Sequence, residues 1–113
     1  MGAVNRCVVI VNVKEPFLDW LRSLWDPTDI TIDEINADNA VYLLPEYEDD
    51  TEMFAILENF YELIFEEQLN NWWTDESCWP SNRDFNTFVE WFDCKFHSMV
   101  IDLVDGPLVN DDE

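Results

Sequence analysis

The chain has 113 residues, 48% hydrophobic and 15% aromatic, with 26 acidic residues against five basic ones and a net charge of −21 at pH 7. So apolar a composition excludes a disordered acidic tail, and a chain of this length buries about 65% of its unfolded surface, so residues 1–113 are expected to form one folded domain. The charge repels polyanions, which sets aside direct binding to nucleic acid or to an anionic membrane and leaves a basic protein as the expected electrostatic partner.

The first element is read from "CVVIVNV" at 7–13. Its β-branched and nearly unbroken apolarity predicts a strand covered on both faces and central in its sheet. Pro16 suits a first helical position, and Phe17, Leu18, Leu21, Leu24 and Trp25 recur at helical spacing until "DP" at 26–27 stops the helix. "TIDE" at 31–34 has the spacing of a capping box, in which Thr31 and Glu34 each satisfy the other's backbone N–H, and predicts a helix of one or two turns. "AVYLL" at 40–44 predicts a second strand, closed by Pro45.

The longest helix is expected to begin at a cap on Asp49 or Asp50 and to run to about Asn70. Met53, Leu57, Phe60 and Ile64 form its apolar row, widened by Phe54, Ile56, Tyr61, Leu63 and Phe65. Ser81 or Asn82 is expected to cap a third long helix with Phe85, Phe88, Val89, Phe92 and Phe96 on one side, and "SMVIDLV" at 98–104 reads as the last strand before a "DGP" turn and an acidic tail. The order β-α-β-α-α-β predicts a small two-layer α+β domain: about three strands, the first in the middle, with helices mainly on one face.

Several chemistries have no residues to support them. No apolar run is long enough to span a membrane and no secretory cleavage site follows the first strand, so a cytoplasmic location is expected. Arg6 stands where a myristoylation signal needs Ser or Thr, which makes Gly2 incidental. With Gly2 and Gly106 the only glycines, no phosphate-cradling loop can be built, and no cofactor is expected. Cys7, Cys78 and Cys94 are odd in number and unpatterned, which fits a reducing compartment. Cys94 and His97 have a C-x-x-H spacing but supply only two of the about four ligands that structural zinc needs, so no metal site is expected.

The charge pattern carries more information. Between Ser23 and Asn82 there is no Lys or Arg, while 16 of the 26 acids fall there. Glu58, Glu62 and Glu66 stand at i, i+4 and i+8, a like-charge ridge in which each adjacent pair costs about 0.2–0.5 kcal/mol. The stretch "FEEQLNNWWTDESCWP" at 65–80 adds Glu67, Asp75 and Glu76 around Trp72, Trp73 and Trp79. These indoles are expected to form a packed turn, two plugging the end of the helix pair and one covering it; in the alternative reading at least one stays exposed beside Glu66, Glu67, Asp75 and Glu76, and Trp73 is then an aromatic anchor inside an acidic rim suited to an Arg-rich partner.

A compact chain of this length spans roughly 34 Å, over which duplex DNA carries about 20 charges. The net charge has the same magnitude. The expected function is therefore a non-catalytic binding or regulatory protein that engages a basic protein, such as a DNA-binding protein, by imitating DNA. Its contact residues are Glu58, Glu62, Glu66, Glu67, Trp73, Asp75 and Glu76. The alternative is an inhibitor or immunity-type protein of a basic toxin or nuclease, and the third reading is a hydrolase that uses carboxylates and a divalent metal. Like charge discourages self-association, so a monomer or weak dimer is expected.

Overall fold

The computed structural model describes residues 2–24 and 29–109. The expected helix stop at 26–27 and the acidic tail at 110–113 lie outside the described residues. The elements are β1 (Gly2–Ala3), β2 (Arg6–Val13), α1 (Glu15–Leu24), α2 (Ile32–Asn36), β3 (Val41–Pro45), α3 (Asp50–Trp72), a 3₁₀ turn (Glu76–Cys78), α4 (Phe85–Trp91), β4 (Phe92–His97) and β5 (Ile101–Asp102).

The first strand is central, as its apolar run implies: β2 pairs antiparallel with β3 on one side and β4 on the other. Because cross-strand partners share a face, the pairings place Cys7, Val9, Val11 and Val13 on the same face as Tyr42, Leu44, Phe92, Cys94 and Phe96. That face forms the core with Phe17, Leu18 and Leu21 of α1, Leu57, Ile64, Phe65 and Leu69 of α3, and Phe88 of α4. Phe65 sits at the centre of an aromatic group, with ring centroids 5.9 Å from Phe88, 5.6 Å from Trp91 and 5.2 Å from Phe92. Each such pair adds about 0.5–1.5 kcal/mol beyond the area it buries. The opposite face presents Val8, Ile10, Val41 and Leu43 with Arg6, Lys95 and His97, and it is only half-buried along β2, so the expected cover on both faces of the first strand is not found: the helices pack mainly on one face and leave the other open. The result is a small α+β domain with its helices mainly on one face of the sheet.

Local signals held where they were chemically specific. Thr31 and Glu34 form the reciprocal capping box, with Glu34 N donating to Thr31 Oγ1 at 3.2 Å and Thr31 N to Glu34 Oε1 at 2.9 Å. Asp49, not Asp50, caps α3 by accepting from Glu52 N at 2.9 Å. Asn36 then ties α2 to the end of β2: its side-chain amide accepts from Val13 N at 2.8 Å and donates to Val13 O at 3.1 Å, taking the place of a neighbouring strand.

Two expectations fail at the C-terminal end. The third long helix is only seven residues long, Phe85–Trp91, and its cap is Asp84, which accepts from Thr87 N at 2.8 Å, with Ser81 and Asn82 exposed ahead of it. Phe92 and Phe96 belong to β4 instead. Phe85, Phe88, Phe92 and Phe96 fit a helical row, but Phe92, Cys94 and Phe96 also alternate with the exposed Asp93, Lys95 and His97. The strand reading wins because pairing six residues along the second edge of β2 delivers all three of those side chains to the core. With that edge filled, "SMVIDLV" is not the third strand of the sheet. Only Ile101–Asp102 is extended, paired with Ala3 and Gly2 in a separate two-stranded ribbon that gives Gly2 a structural place. Met99, Leu103 and Val104 are exposed. Among the described residues, no helix is long and apolar enough to cross a membrane.

Candidate protein interface on helix α3

At about 100° per residue, α3 divides into a buried strip and two exposed flanks. The core strip holds Leu57, Ile64, Phe65 and Gln68. On the flank toward α4 stand Glu58, Glu62 and Glu66, all exposed and about 6 Å apart along the axis. Phe54 and Leu63, which the sequence counts with the buried row, are 56% and 65% exposed.

The acidic flank is larger than its own helix. Tyr61 packs against Phe85 and Phe88 of α4, and its phenol is pushed up by loss of solvent and by Glu62, Asp84 and Glu58. Asp84 caps α4 immediately before Phe85, whose ring centroid is 5.2 Å from that of Tyr61, so it adjoins the ridge from across the helix pair. Sequence reasoning missed it because it lies outside the cation-free interval and reaches the ridge only through the α3–α4 packing. A cavity of about 220 Å³ lies where Glu62 and Glu66 meet Phe65, Ser81 and Arg83.

The cations are few, and of these Arg83 stands beside the ridge, in the cavity with Glu62 and Glu66. Arg6, Lys14, Arg22 and Arg83 donate to the backbone carbonyls of Asn5, Val89, Ile30 and Pro80 at 2.8, 3.0, 3.3 and 2.6 Å. They are occupied as backbone clamps. Lys95 is on the open sheet face, away from α3's acids.

The remaining expected site residues separate into two places. Glu67 lies about 100° around the helix from Glu66 and faces β3, where it accepts from the Tyr42 hydroxyl and from Asn71 Nδ2 at 3.1 Å. Trp73, Asp75 and Glu76 lie beyond the C-terminal end of α3. Trp73 caps that end through its N–H to Leu69 O at 2.8 Å, and its own carbonyl accepts from Trp79 Nε1 at 2.7 Å. Trp72 and Trp79 pack against the core, while Trp73 is half-buried outside it. The ring of Trp79 is already covered by the guanidinium carbon of Arg83, 5.8 Å from its centroid. Asp75 is turned inward on its own loop: Ser77's hydroxyl and N–H donate to it at 2.7 and 3.1 Å and hold its carboxyl below the usual range. Glu76 is exposed.

On its other flank α3 borders an open groove of about 970 Å³, walled by residues 40–44 of β3 and by Phe60, Leu63, Ile64, Glu67 and Asn70 of α3. Val41 and Leu43 are 56% and 46% exposed along it. Beneath it, Gln68 is fully buried, donates from Nε2 to the Tyr42 hydroxyl at 2.8 Å, and keeps its Oε1 without a partner. Burial and the acceptor Glu67 raise Tyr42 well above the ordinary phenol range. The sequence signal for this groove was present in the width of α3's apolar arc, which runs from Tyr61 round to Leu63 and exceeds what one core face can use.

For metal or nucleophile chemistry the arrangement offers little. Cys94 and His97 sit three residues apart on one strand, so they point to opposite faces and cannot share a metal ion. Burial lifts the Cys94 thiol to about 12, away from thiolate reactivity. Among the described residues no group of three or more His, Cys, Asp or Glu side chains could hold a metal ion. The two carboxylates whose titration is displaced, Asp75 and Asp84, are both shifted down, by hydrogen bonds from Ser77 and Thr87. Comparison with protein-family models, with curated proteins and with solved structures finds no match for this chain.

Proposed function

We propose that this is a non-catalytic acidic binding protein that engages a basic protein and occupies the face where that partner holds nucleic acid. One observation carries the reading: α3 presents Glu58, Glu62 and Glu66 on the flank where Asp84 caps α4, four carboxylates beside which Arg83 is, among the described residues, the one cation lining the adjoining cavity. A ridge with one carboxylate per about 6 Å carries a little over half the linear charge of one DNA strand, at one per about 3.4 Å. The molecule's longest extent is 46 Å, more than the compact sphere implied by chain length. Duplex DNA would carry about 27 charges over that length, against 21 here. Such a surface attracts a basic partner at long range and makes the association fall with salt.

The test is capture of host proteins on the tagged chain at low salt, with elution by rising salt and by duplex DNA. Support is a single basic protein that DNA displaces and that the double variant Glu62→Lys, Glu66→Lys fails to hold. A diffuse set of basic proteins, held equally by the variant, would end this reading. A toxin or nuclease inhibitor differs in its captured partner, whose nuclease activity the protein would suppress.

A further inference from the structure

The groove beside β3 has features that charge alone does not require. β3 is the edge of its sheet, paired only with β2 among the described residues, so its outer backbone N–H and C=O groups are available to another strand. It has neither a charged side chain nor a bulge on Val41–Leu44, and Pro45 closes only its end. Val41 and Leu43 are exposed on one side of that edge, and Leu63 with Phe60 forms the apolar wall on the other. An open hydrophobic edge of this kind is either an aggregation hazard or a binding site.

We propose that the groove between β3 and α3 receives an extended, arginine- or lysine-bearing segment of the basic partner, which adds to β3 as a further strand. The inference rests on the basic-partner reading and assigns it a second contact. Charge selects this occupant over another copy of the chain. Both walls of the groove lie in the interval from 23 to 82 that contains no Lys or Arg, and its one ionisable carboxylate is Glu67. Joining two copies edge to edge would bring −21 against −21. A cationic strand meets the opposite situation.

The geometry divides the work. Backbone bonds to β3 supply affinity for any extended chain, and alternate side chains of the added strand meet Phe60 and Leu63 on one side and continue the row of Val41 and Leu43 on the other. Glu67 is positioned in advance by Tyr42 and Asn71, so a guanidinium or ammonium entering the groove finds a fixed acceptor.

The probe is a short capped peptide of alternating valine and arginine, compared with two isomers N-methylated on alternate residues. All three have the same charge and side chains, but in an added strand only one set of N–H groups faces β3. One methylated isomer is expected to bind about tenfold more weakly than the other. The unmodified peptide should slow amide exchange within Val41–Leu44, and Leu63→Lys should weaken it about tenfold while the variant remains folded, Leu63 being exposed. Equal binding of the two isomers, no protection of β3, or no binding at all would overturn the strand addition. If strand addition fails while a captured partner still depends on Glu62 and Glu66, the basic-partner reading stands without it. If no basic partner is held specifically, that reading itself fails.

Discussion

The two flanks of α3 come from one helix and carry one sign of charge, yet they are built for different work. Toward α4, Glu58, Glu62, Glu66 and Asp84 stand in solvent over Tyr61, giving field without shape. Toward β3, Phe60, Leu63 and Val41 shape a groove in which the single carboxylate, Glu67, is held by two hydrogen bonds. A diffuse ridge governs encounter rate and salt dependence, whereas a shaped groove with fixed polar groups governs dissociation and selectivity. The comparison teaches that net charge describes only the first of these.

The strongest way to break the contrast is to remove what both flanks share. Phe65 is fully buried beneath the helix, and Phe65→Ala is expected to lose about 3–5 kcal/mol in urea unfolding, abolishing both surfaces together. A loss below about 1 kcal/mol would show that the aromatic core is not what holds α3 in place. Next, Glu62→Lys with Glu66→Lys should lower partner affinity by about tenfold or more while stability holds or rises slightly, because like-charge pairs are relieved. Unchanged affinity on a salt titration would remove the ridge from the interface.

Alkaline pH sharpens the contrast from the groove side. Burial raises Cys94 to about 12 and, with Glu67 as acceptor, places Tyr42 well above the usual phenol range. In both cases the folded state keeps its proton longer than the unfolded chain, so the stability they contribute is complete below the unfolded values, about 8.5 for the thiol and about 10 for the phenol. It is lost as pH rises past them, the thiol's share through about 12. Urea midpoints measured from neutral to alkaline pH should therefore decline, and Cys94→Val should flatten the earlier part of the decline. A midpoint that does not move would contradict the burial of both groups.

The smallest expected effect isolates Gln68. Its Oε1 is buried without a donor, so Gln68→Leu removes an unsatisfied group along with one hydrogen bond to Tyr42, and the net change is expected to stay within about 1 kcal/mol. Gln68→Ala, which also opens a cavity, should cost about 2 kcal/mol or more. Equal effects of the two would mean that the Tyr42 bond, not side-chain volume, is what Gln68 provides.

Much of the fold was legible because it rests on local signals. The run Cys7–Val13 could only be a central strand in a chain of this size, although only one of its faces is fully covered, and Thr31 with Glu34, or Asp49 with Glu52, are pairs whose chemistry is complete within four residues. The failure at Phe92–Phe96 came from a pattern that fits both periods, three and a half and two, at once. Nothing local could separate them, since the decision depended on whether β2's second edge was still open. The candidate site divides in the same way. Glu58, Glu62 and Glu66 follow from helical spacing alone, but that Glu67 faces β3 and bonds Tyr42, and that Asp75 bonds Ser77 within its own loop, depends on partners that the spacing of the acids does not reveal.

By itself the sequence determined the sign and density of the surface charge, the central strand, the caps of α2 and α3 and the acidic ridge of α3, because each depends on composition or on neighbours within a few turns. Only the tertiary structure decided that Arg83 covers Trp79, that Asp84 adjoins the ridge, that β4 displaces the expected last strand, and that β3 is left as an open edge beside Leu63. Those outcomes depend on which segments compete for the same sheet edge and the same apolar face, a competition settled by long-range pairing.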